Sequence, residues 1–460
     1  MNVLARFRLA GIALGLAAAL AACGGGDGYG GNDNATSAAA TACSLDEQKS
    51  WLASYMNDAY LWYATQPNPD PAQSPSIQHY FDALLTDGVA GNRDLPRDRW
   101  SYTESAASYN QFFIEGRTLG YGLAVAGREI QAQPDRPLRV RYVEPASPAA
   151  VAGIARGETI VSINGTPTAA LNDHFSVLNP AAPGDVLRLV LRNAQGAERP
   201  VDLTAQTHDL VPVSDARVVQ SPAGTPIGYV VLKDFISQSL SPLEAAFASF
   251  KAFNAAGVRE IVLDLRYNGG GLVSVARTLA GYVAGDPAAN QTFTLLRHND
   301  KHPSRSTTFR FPGPGEQPSA MGATRVFVLT GSRTCSASEL VVSGLRPFVD
   351  VVQIGDVTCG KPVGFVPVDR CGTTFSAVNF ESLNAAGDGR YWDGLTPRCA
   401  VADDLDHALG DASEALLAAA RGYVDSGACP VAASREQPTR LRDAMRRVNE
   451  GERPGTMIAR

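Results

Sequence analysis

The stretch that constrains this chain most runs from Val326 to Lys361, VFVLTGSRTCSASELVVSGLRPFVDVVQIGDVTCGK. Its β-rich apolar run, Val326 to Thr330, breaks at Gly331 and gives way at Ser336 to a pattern in which Leu340, Ser343, Gly344 and Phe348 share a helical face. Ser336 therefore stands at a strand-to-helix turn. A hydroxyl at the first turn of a helix lies near free backbone N–H groups and the positive end of the dipole, where an oxyanion can be stabilised. A second apolar strand, Val351 to Ile354, leads into a glycine turn carrying Lys361. Serine is a weak nucleophile until a base takes its proton, and a lysine can do so only as a neutral amine. Lys361 would have to be withdrawn from water, because the reference lysine pKa is about 10.4. Apart from Lys361 the chain has only Lys49, Lys233, Lys251 and Lys301, arginine supplying nearly all other positive charge. A lysine kept in such a chain points to an amine that can lose its proton, which arginine cannot do. The simpler reading makes Ser336 a helix cap and Lys361 a solvated loop residue.

TCSASEL followed by GDVTCGK resembles the nucleophile and general-base segments of the C-terminal processing peptidases, or tail-specific proteases, which are serine endopeptidases with a Ser-Lys pair. In that family the lysine follows the serine by 25 positions, as Lys361 follows Ser336 here, which selects Ser336 over Ser338. By the same resemblance REIVLDLRYNGGG, Arg259 to Gly271, is a buried strand ending in the family's glycine segment. The amide of Gly270 or of Gly271, with that of Ala337, would form the oxyanion hole, and Asp264 and Arg266 would hold the loop. Which glycine donates stays open. Many family members place glutamine four residues after the lysine to orient its amine, whereas this chain has Phe365. Either a dyad suffices or another group, such as Ser338 or Thr358, takes that role; Glu339 is left open as well.

The chain begins with the layout of an export signal: Arg6 and Arg8, the apolar run LAGIALGLAAALAA, then small residues, over residues 1–22. That run is too short for a good membrane-spanning helix. Leu20-Ala21-Ala22-Cys23 resembles the bacterial lipobox, which implies a lipidated Cys23, and Gly24 after it is similar to outer-membrane sorting in Gram-negative lipoproteins. Residues 23–43, rich in glycine and small polar residues, read as the anchor and a flexible tether. Six further cysteines, Cys43, Cys335, Cys359, Cys371, Cys399 and Cys429, suggest disulfides in an exported protein. Six cysteines allow about 15 connectivities, among which sequence does not choose; one hypothesis pairs Cys43 with Cys429, Cys371 with Cys399, and Cys335 with Cys359. The bland alternative is buried, unpaired cysteine. With 460 residues, 45% of them hydrophobic and 19% charged, there is material for two or three packed domains. A net charge of -6 gives no reason to expect nucleic acid as a partner.

Residues 44–115 open with aromatic and apolar residues at helical spacing, Leu45 through Tyr63, and a second helix is expected from Ile77 to Leu85. DRWSYT, Asp98 to Thr103, is similar to the family's D-x-x-S segment, with no chemistry attached to it. Residues 116–210 resemble a PDZ domain: Gly120, Tyr121, Gly122 and Leu123 stand where a loop would receive a peptide's terminal carboxylate. ASPAAVAGIARGETIVSINGTPT, Ala146 to Thr168, carries the most specific part of that match, and Leu171 to Leu178 would be the helix beside the groove. Arg117 could neutralise a bound carboxylate or simply be solvated. Residues 211–430 would be the catalytic domain, with a polar insertion between Asn290 and Ala323. Its His298 and His302 read as surface histidines, since no carboxylate is placed to complete a metal site. Residues 431–460 read as a poorly ordered, arginine-rich tail, or as a basic arm for an acidic surface.

The expected fold is therefore α/β, or α+β multidomain: a helical N-terminal region, a PDZ domain and a catalytic core that by resemblance is crotonase-like. The expected activity is that of an exported, lipid-anchored serine endopeptidase of the outer membrane's periplasmic side, needing no cofactor or metal and acting on proteins or peptides with apolar C-terminal tails. Two rivals remain: a non-catalytic PDZ adaptor, favoured by the missing glutamine, and a Ser-His-Asp hydrolase, against which stands the lack of a G-x-S-x-G elbow.

Overall fold

The computed structural model of the chain describes residues 43–92, 95–126, 137–171, 176–253, 257–430 and 456–459. The export signal, Cys23 and most of the tether lie outside the described residues, as does the basic stretch 431–455. Of the first compact unit, Met1–Ser44, only Cys43 and Ser44 are described; the architecture belongs to the second, Leu45–Arg460. Among the described residues no helix is long and apolar enough to cross a membrane.

The N-terminal region is built from Leu45–Ala59 (α1), Ile77–Ala83 (α2), Tyr102–Ser105 (β1) and Ala106–Phe113 (α3). Leu52 and Met56, one turn apart on α1, are fully buried with Tyr60 and Phe81. They share one core with Cys335, Cys359, Val363 and Phe365, so this region packs straight onto the segment that carries Lys361.

Next come Arg117–Gly120 (β2), Leu123–Ala126 (β3), Arg139–Val143 (β4), Thr159–Ile163 (β5), Val186–Arg192 (β6), Glu198–Thr204 (β7) and Gln206–Asp209 (β8). Strands β3 to β7 make an antiparallel sheet in the order β7-β6-β5-β4-β3, and β8 pairs with β2 where the chain enters and leaves. Leu187, Leu189 and Leu191 alternate inward along β6 to form its core. Among the described residues strand β3 ends the sheet, leaving an edge that a peptide could extend. The helix expected over Leu171 to Leu178 falls largely outside the described residues. Thr168–Ala170 and Ser176–Leu178 are single 3-10 turns, and residues 172–175 lie outside the described set.

The remaining chain forms two sheets. The first comprises Val213–Gln220 (β9), Pro226–Leu232 (β10), Glu260–Asp264 (β11), Arg325–Thr330 (β15), Asp350–Gly355 (β16) and Cys399–Ala400 (β21), in the order β9-β10-β11-β15-β16-β21. All pairs after the first are parallel. Val326 and Val328 face the helices Leu240–Ala252 (α4), Val273–Ala284 (α5) and Ala337–Leu345 (α6); Phe327 and Leu329 face Ala415–Ser426 (α7). Covered on both faces, these strands read as unbroken apolar runs.

The second sheet joins Gly270–Leu272 (β12), Thr292–His298 (β13), Thr307–Arg310 (β14), Val363–Phe365 (β17), Val378–Leu383 (β20) and Thr456–Ile458 (β22) in the order β12-β22-β17-β20-β13-β14. Two expectations change here. The supposed polar insertion supplies β13 and β14, because Phe293 and Leu296 are buried in the core on either side of a register shift next to Phe293. The supposed disordered tail supplies β22, whose Met457 and Ile458 are fully buried. Val368–Arg370 (β18) and Thr373–Ser376 (β19) complete a third small sheet with β1.

Of the expected disulfides, Cys335–Cys359 is formed, with Cα atoms 5.2 Å apart. Cys399 pairs with Cys429 at 5.4 Å, which removes one partner from each of the other two expected bonds. Cys43 and Cys371 are also disulfide-bonded. The correction has a simple cause: Cys399 on β21 lies under the end of α7, so the residue just beyond that helix reaches it first.

Candidate active site

Ser336 is the residue immediately before α6, with φ 63° and ψ -112°. A non-glycine residue on the left-handed side is strained, and here strand β15 and helix α6 force the turn between them. The side chain is fully buried, and its Oγ has no hydrogen-bond partner among the described residues. Lys361, also fully buried, ends the glycine turn before β17. Its Nζ lies 3.8 Å from the centre of the Phe365 ring and 5.5 Å from that of Trp100. Burial pushes the Lys361 amine well below the ordinary lysine value; the charges of Asp98 and Glu339 oppose that shift, and Arg99 adds to it.

Glu339 holds these two residues together. One carboxylate oxygen accepts from Ser336 N–H and from Lys361 N–H, both at 2.8 Å. The other accepts from Gly360 N–H at 2.8 Å and from the Thr358 hydroxyl at 2.5 Å. Thr358 Oγ1 itself accepts from Leu395 N–H at 2.7 Å, so its own proton is directed at Glu339. Four donors on two oxygens describe an ionised carboxylate, even though burial raises the Glu339 pKa against those bonds. The Cys335–Cys359 disulfide crosses beside it, with Cys359 Sγ 3.3 Å from the carboxylate. Cys335, Glu339 and Cys359 cluster closely enough to suggest a metal, but both sulfurs are tied to each other.

The glycine segment lies alongside. Gly270 and Gly271 have φ of 108° and 138°, closed to L side chains, and a Cβ on Gly271 would meet Phe235 O at 2.2 Å. Asn268 sets the loop: its Oδ1 accepts from Gly270 N–H at 2.8 Å, and its carbonyl accepts from Cys335 N–H at 3.0 Å and Ser338 Oγ at 2.9 Å. Gly270 N–H is thus committed, which removes it from the expected donors and leaves Gly271 and Ala337. Ala337, in the first turn of α6, has no intrahelical acceptor for its N–H. A Cβ on Gly270 would lie 3.0 Å from Ala337 N, so the two segments meet there.

Asp264 and Arg266 form the buried support expected of them: the guanidinium takes both Asp264 oxygens, at 2.9 and 2.8 Å, and both Glu414 oxygens, at 2.6 and 2.8 Å. Ser338 and Thr358, weighed as orienting groups for the amine, donate to Asn268 and Glu339. The N-terminal region, given no chemistry from sequence, supplies Asp98, Arg99 and Trp100 around Lys361. The DRWS string was the available signal; only the fold reveals what it touches.

Gly120, Tyr121, Gly122 and Leu123 make the turn from β2 into β3, with Gly120 ending one strand and Leu123 starting the other. Tyr121 and Gly122 carbonyls accept from Ala149 and Glu144 N–H, at 2.9 and 2.8 Å, which fixes its shape. Arg117 pairs with Asp209 at 3.2 Å on the neighbouring strand. His302 Nε2 lies 2.7 Å from Asp58, and His298 packs on Phe380, its pKa lowered mainly by burial.

Comparison with known proteins gives three matching family models: Peptidase family S41 over residues 226–370, the Peptidase S41 N-terminal domain over 47–102, and a PDZ domain over 139–193. The chloroplastic C-terminal processing peptidase of Tetradesmus obliquus is 31% identical over 234 residues, 47% of this chain and 46% of that one. The carboxy-terminal processing protease CtpA of Bacillus subtilis is 25% identical over 334 residues, 71% of this chain and 66% of that one. The chain thus spans about half to two thirds of these curated relatives' length. A solved S41-assigned structure from Bacteroides fragilis superposes with a TM-score of 0.63 at 26% identity, covering 82% of this chain and 97% of that one. The photosystem II D1 C-terminal processing protease shares the fold, with a TM-score of 0.51 at 21% identity over 78% of this chain and 94% of that one.

Proposed function

We propose, from the premise that the chain belongs to peptidase family S41 with that family's N-terminal and PDZ segments, that it is a serine endopeptidase of the C-terminal processing type using Ser336 and Lys361. The observation that carries the reading is the Glu339 carboxylate, which binds the backbones of both residues while burial keeps the Lys361 amine ready to be neutral. Ser336 Oγ attacks the scissile carbonyl and passes its proton to Lys361 Nζ. Gly271 and Ala337 N–H stabilise the oxyanion, Lys361 returns the proton to the leaving amine, and water resolves the acyl-enzyme in the same way. Phe365 stands where many relatives place glutamine; its ring gives the amine an apolar wall, so a dyad suffices.

The substrates are proteins or peptides with apolar C-terminal tails, drawn in as a strand on β3 with the terminal carboxylate at Gly120–Leu123. The chain is exported and anchored through a lipidated Cys23 on the periplasmic side of the outer membrane; the disulfides fit an oxidising compartment.

The test is hydrolysis of a peptide ending in apolar residues. Ser336→Ala and Lys361→Met should each abolish it. Because the base acts unprotonated and its pKa is depressed, kcat/KM of the wild type should rise with pH through that depressed value and level off above it. Equal turnover by wild type and Ser336→Ala would favour the adaptor reading instead.

A further inference from the structure

Strand β22 comes from the last stretch of the given sequence, yet it lies inside the second catalytic sheet, paired on both sides. It pairs in parallel with β12 on one side, in the register Gly270↔Thr456, and with β17 on the other, through Phe365↔Ile458. Among the described residues no other strand links β12 to that sheet. The far edge of β12 is held by Phe235, whose N–H donates to Gly270 O at 3.0 Å and whose carbonyl accepts from Leu272 N–H at 2.7 Å. Between the oxyanion strand and the strand after Lys361 there is therefore a slot one strand wide, with a pairing edge on each wall.

The register of the occupant is specific. Thr456 N–H donates to Gly269 O at 2.8 Å, and in a parallel ladder its carbonyl then faces Gly271 N–H. The same carbonyl oxygen lies 2.1 Å from the point where a Gly270 Cβ would sit, and Ala337 N lies 3.0 Å from that point. The Thr456 carbonyl thus faces Gly271 N–H, with Ala337 N close by on the same side of Gly270. Past it, Met457 and Ile458 are fully buried and Ala459 N–H donates to Phe365 O at 3.1 Å.

We propose that residues 456–459 are an internal substrate: they fill the slot an external peptide would take, block it while in place, and are cut by Ser336 after Thr456. The inference rests on the peptidase reading above. Ser336 Oγ adds to the Thr456 carbonyl carbon as its proton passes to Lys361. The Thr456–Met457 C–N bond breaks, that proton goes to the Met457 nitrogen, and the segment from Met457 onward leaves. Water then adds to the Thr456 ester, Lys361 taking its proton and returning it to Ser336 Oγ, which leaves a carboxylic acid on Thr456.

Intact-mass measurement of the full chain during incubation tests this, together with hydrolysis of an apolar-tailed peptide by the same sample. The wild type should lose everything after Thr456 at a rate independent of protein concentration, and peptide hydrolysis should accelerate several-fold as it does. Ser336→Ala should stay intact. Ile458→Lys, which places a charge in the slot without touching the catalytic groups, should hydrolyse the peptide several-fold faster than uncut wild type and with no lag. A chain that stays intact while hydrolysing the peptide in a Ser336-dependent way overturns the internal substrate and leaves the peptidase reading standing. No peptide hydrolysis by either wild type or Ile458→Lys overturns both.

Discussion

At Glu339 a single buried carboxylate does what two hydrogen-bonded loops would otherwise need several residues to do. It is the third residue of α6, so its bond back to Ser336 N–H looks like an ordinary capping box. The bonds to Gly360 and Lys361 N–H make it a clamp across the site. Glu339→Gln keeps the shape but turns one acceptor into a donor facing donors, a mismatch worth about 1–3 kcal/mol. We expect kcat to fall about tenfold to a hundredfold, since 1.4 kcal/mol is a factor of ten. A purely structural role would stop there. The Glu339 charge also holds the Lys361 pKa up against burial, so its removal should move the acid limb of the kcat/KM profile to lower pH. An unmoved limb in a folded Glu339→Gln protein would show that the carboxylate does not act on the amine.

At the scale of elements, the two described disulfides of known pairing do different work. Cys335–Cys359 spans 24 positions and ties the turn before α6 to the loop before β17, the two segments that present Ser336 and Lys361. Cys399–Cys429 spans 30 positions and ties β21 to the end of α7, on the other face of the first sheet. Loops of this length are each worth about 3 kcal/mol of stability. Replacing either pair with alanine should therefore lower the melting temperature to a similar degree, while only the Cys335/Cys359 double variant should lose kcat; calorimetry and peptide hydrolysis on both variants check this. The strand-turn-helix around Ser336 was legible because buried parallel strands are apolar throughout and the change of period at Gly331 is sharp. The Cys399–Cys429 pairing was not, because it depends on which elements lie adjacent. Strand β22 was illegible for a related reason: Thr456-Met457-Ile458 has no local pattern, and its strand exists only because β12 and β17 each present an edge.

Across the whole molecule, the PDZ sheet is bolted to the catalytic part by charges that sequence order scatters. Lys233, just after β10, makes a buried ion pair with Glu144, just after β4. Arg156 donates to the Tyr267 hydroxyl at 2.6 Å, to Asp404 O at 2.8 Å and to His407 O at 3.0 Å, and pairs with Asp403 at 3.2 Å. Tyr267 directly precedes Asn268, the residue that holds Gly270 and Cys335. No periodicity marks such a junction, since each residue reads alone as a surface polar group. Its position gives it a consequence for chemistry: a guanidinium on the PDZ side fixes the base of the oxyanion loop. Arg156→Ala leaves Tyr267 with its 2.6 Å bond to Asp403 and the stacked Tyr142 ring but removes its hydrogen bond from the PDZ side. Losing charge-assisted bonds of this kind costs about 1.5–3 kcal/mol each when nothing replaces them. We expect kcat/KM to drop by about tenfold, the equivalent of 1.4 kcal/mol, with the Kd of a labelled apolar-tailed peptide for the PDZ groove unchanged. If the peptide's Kd weakens in step with kcat/KM, Arg156 serves the groove itself, and the two domains are joined without being coupled.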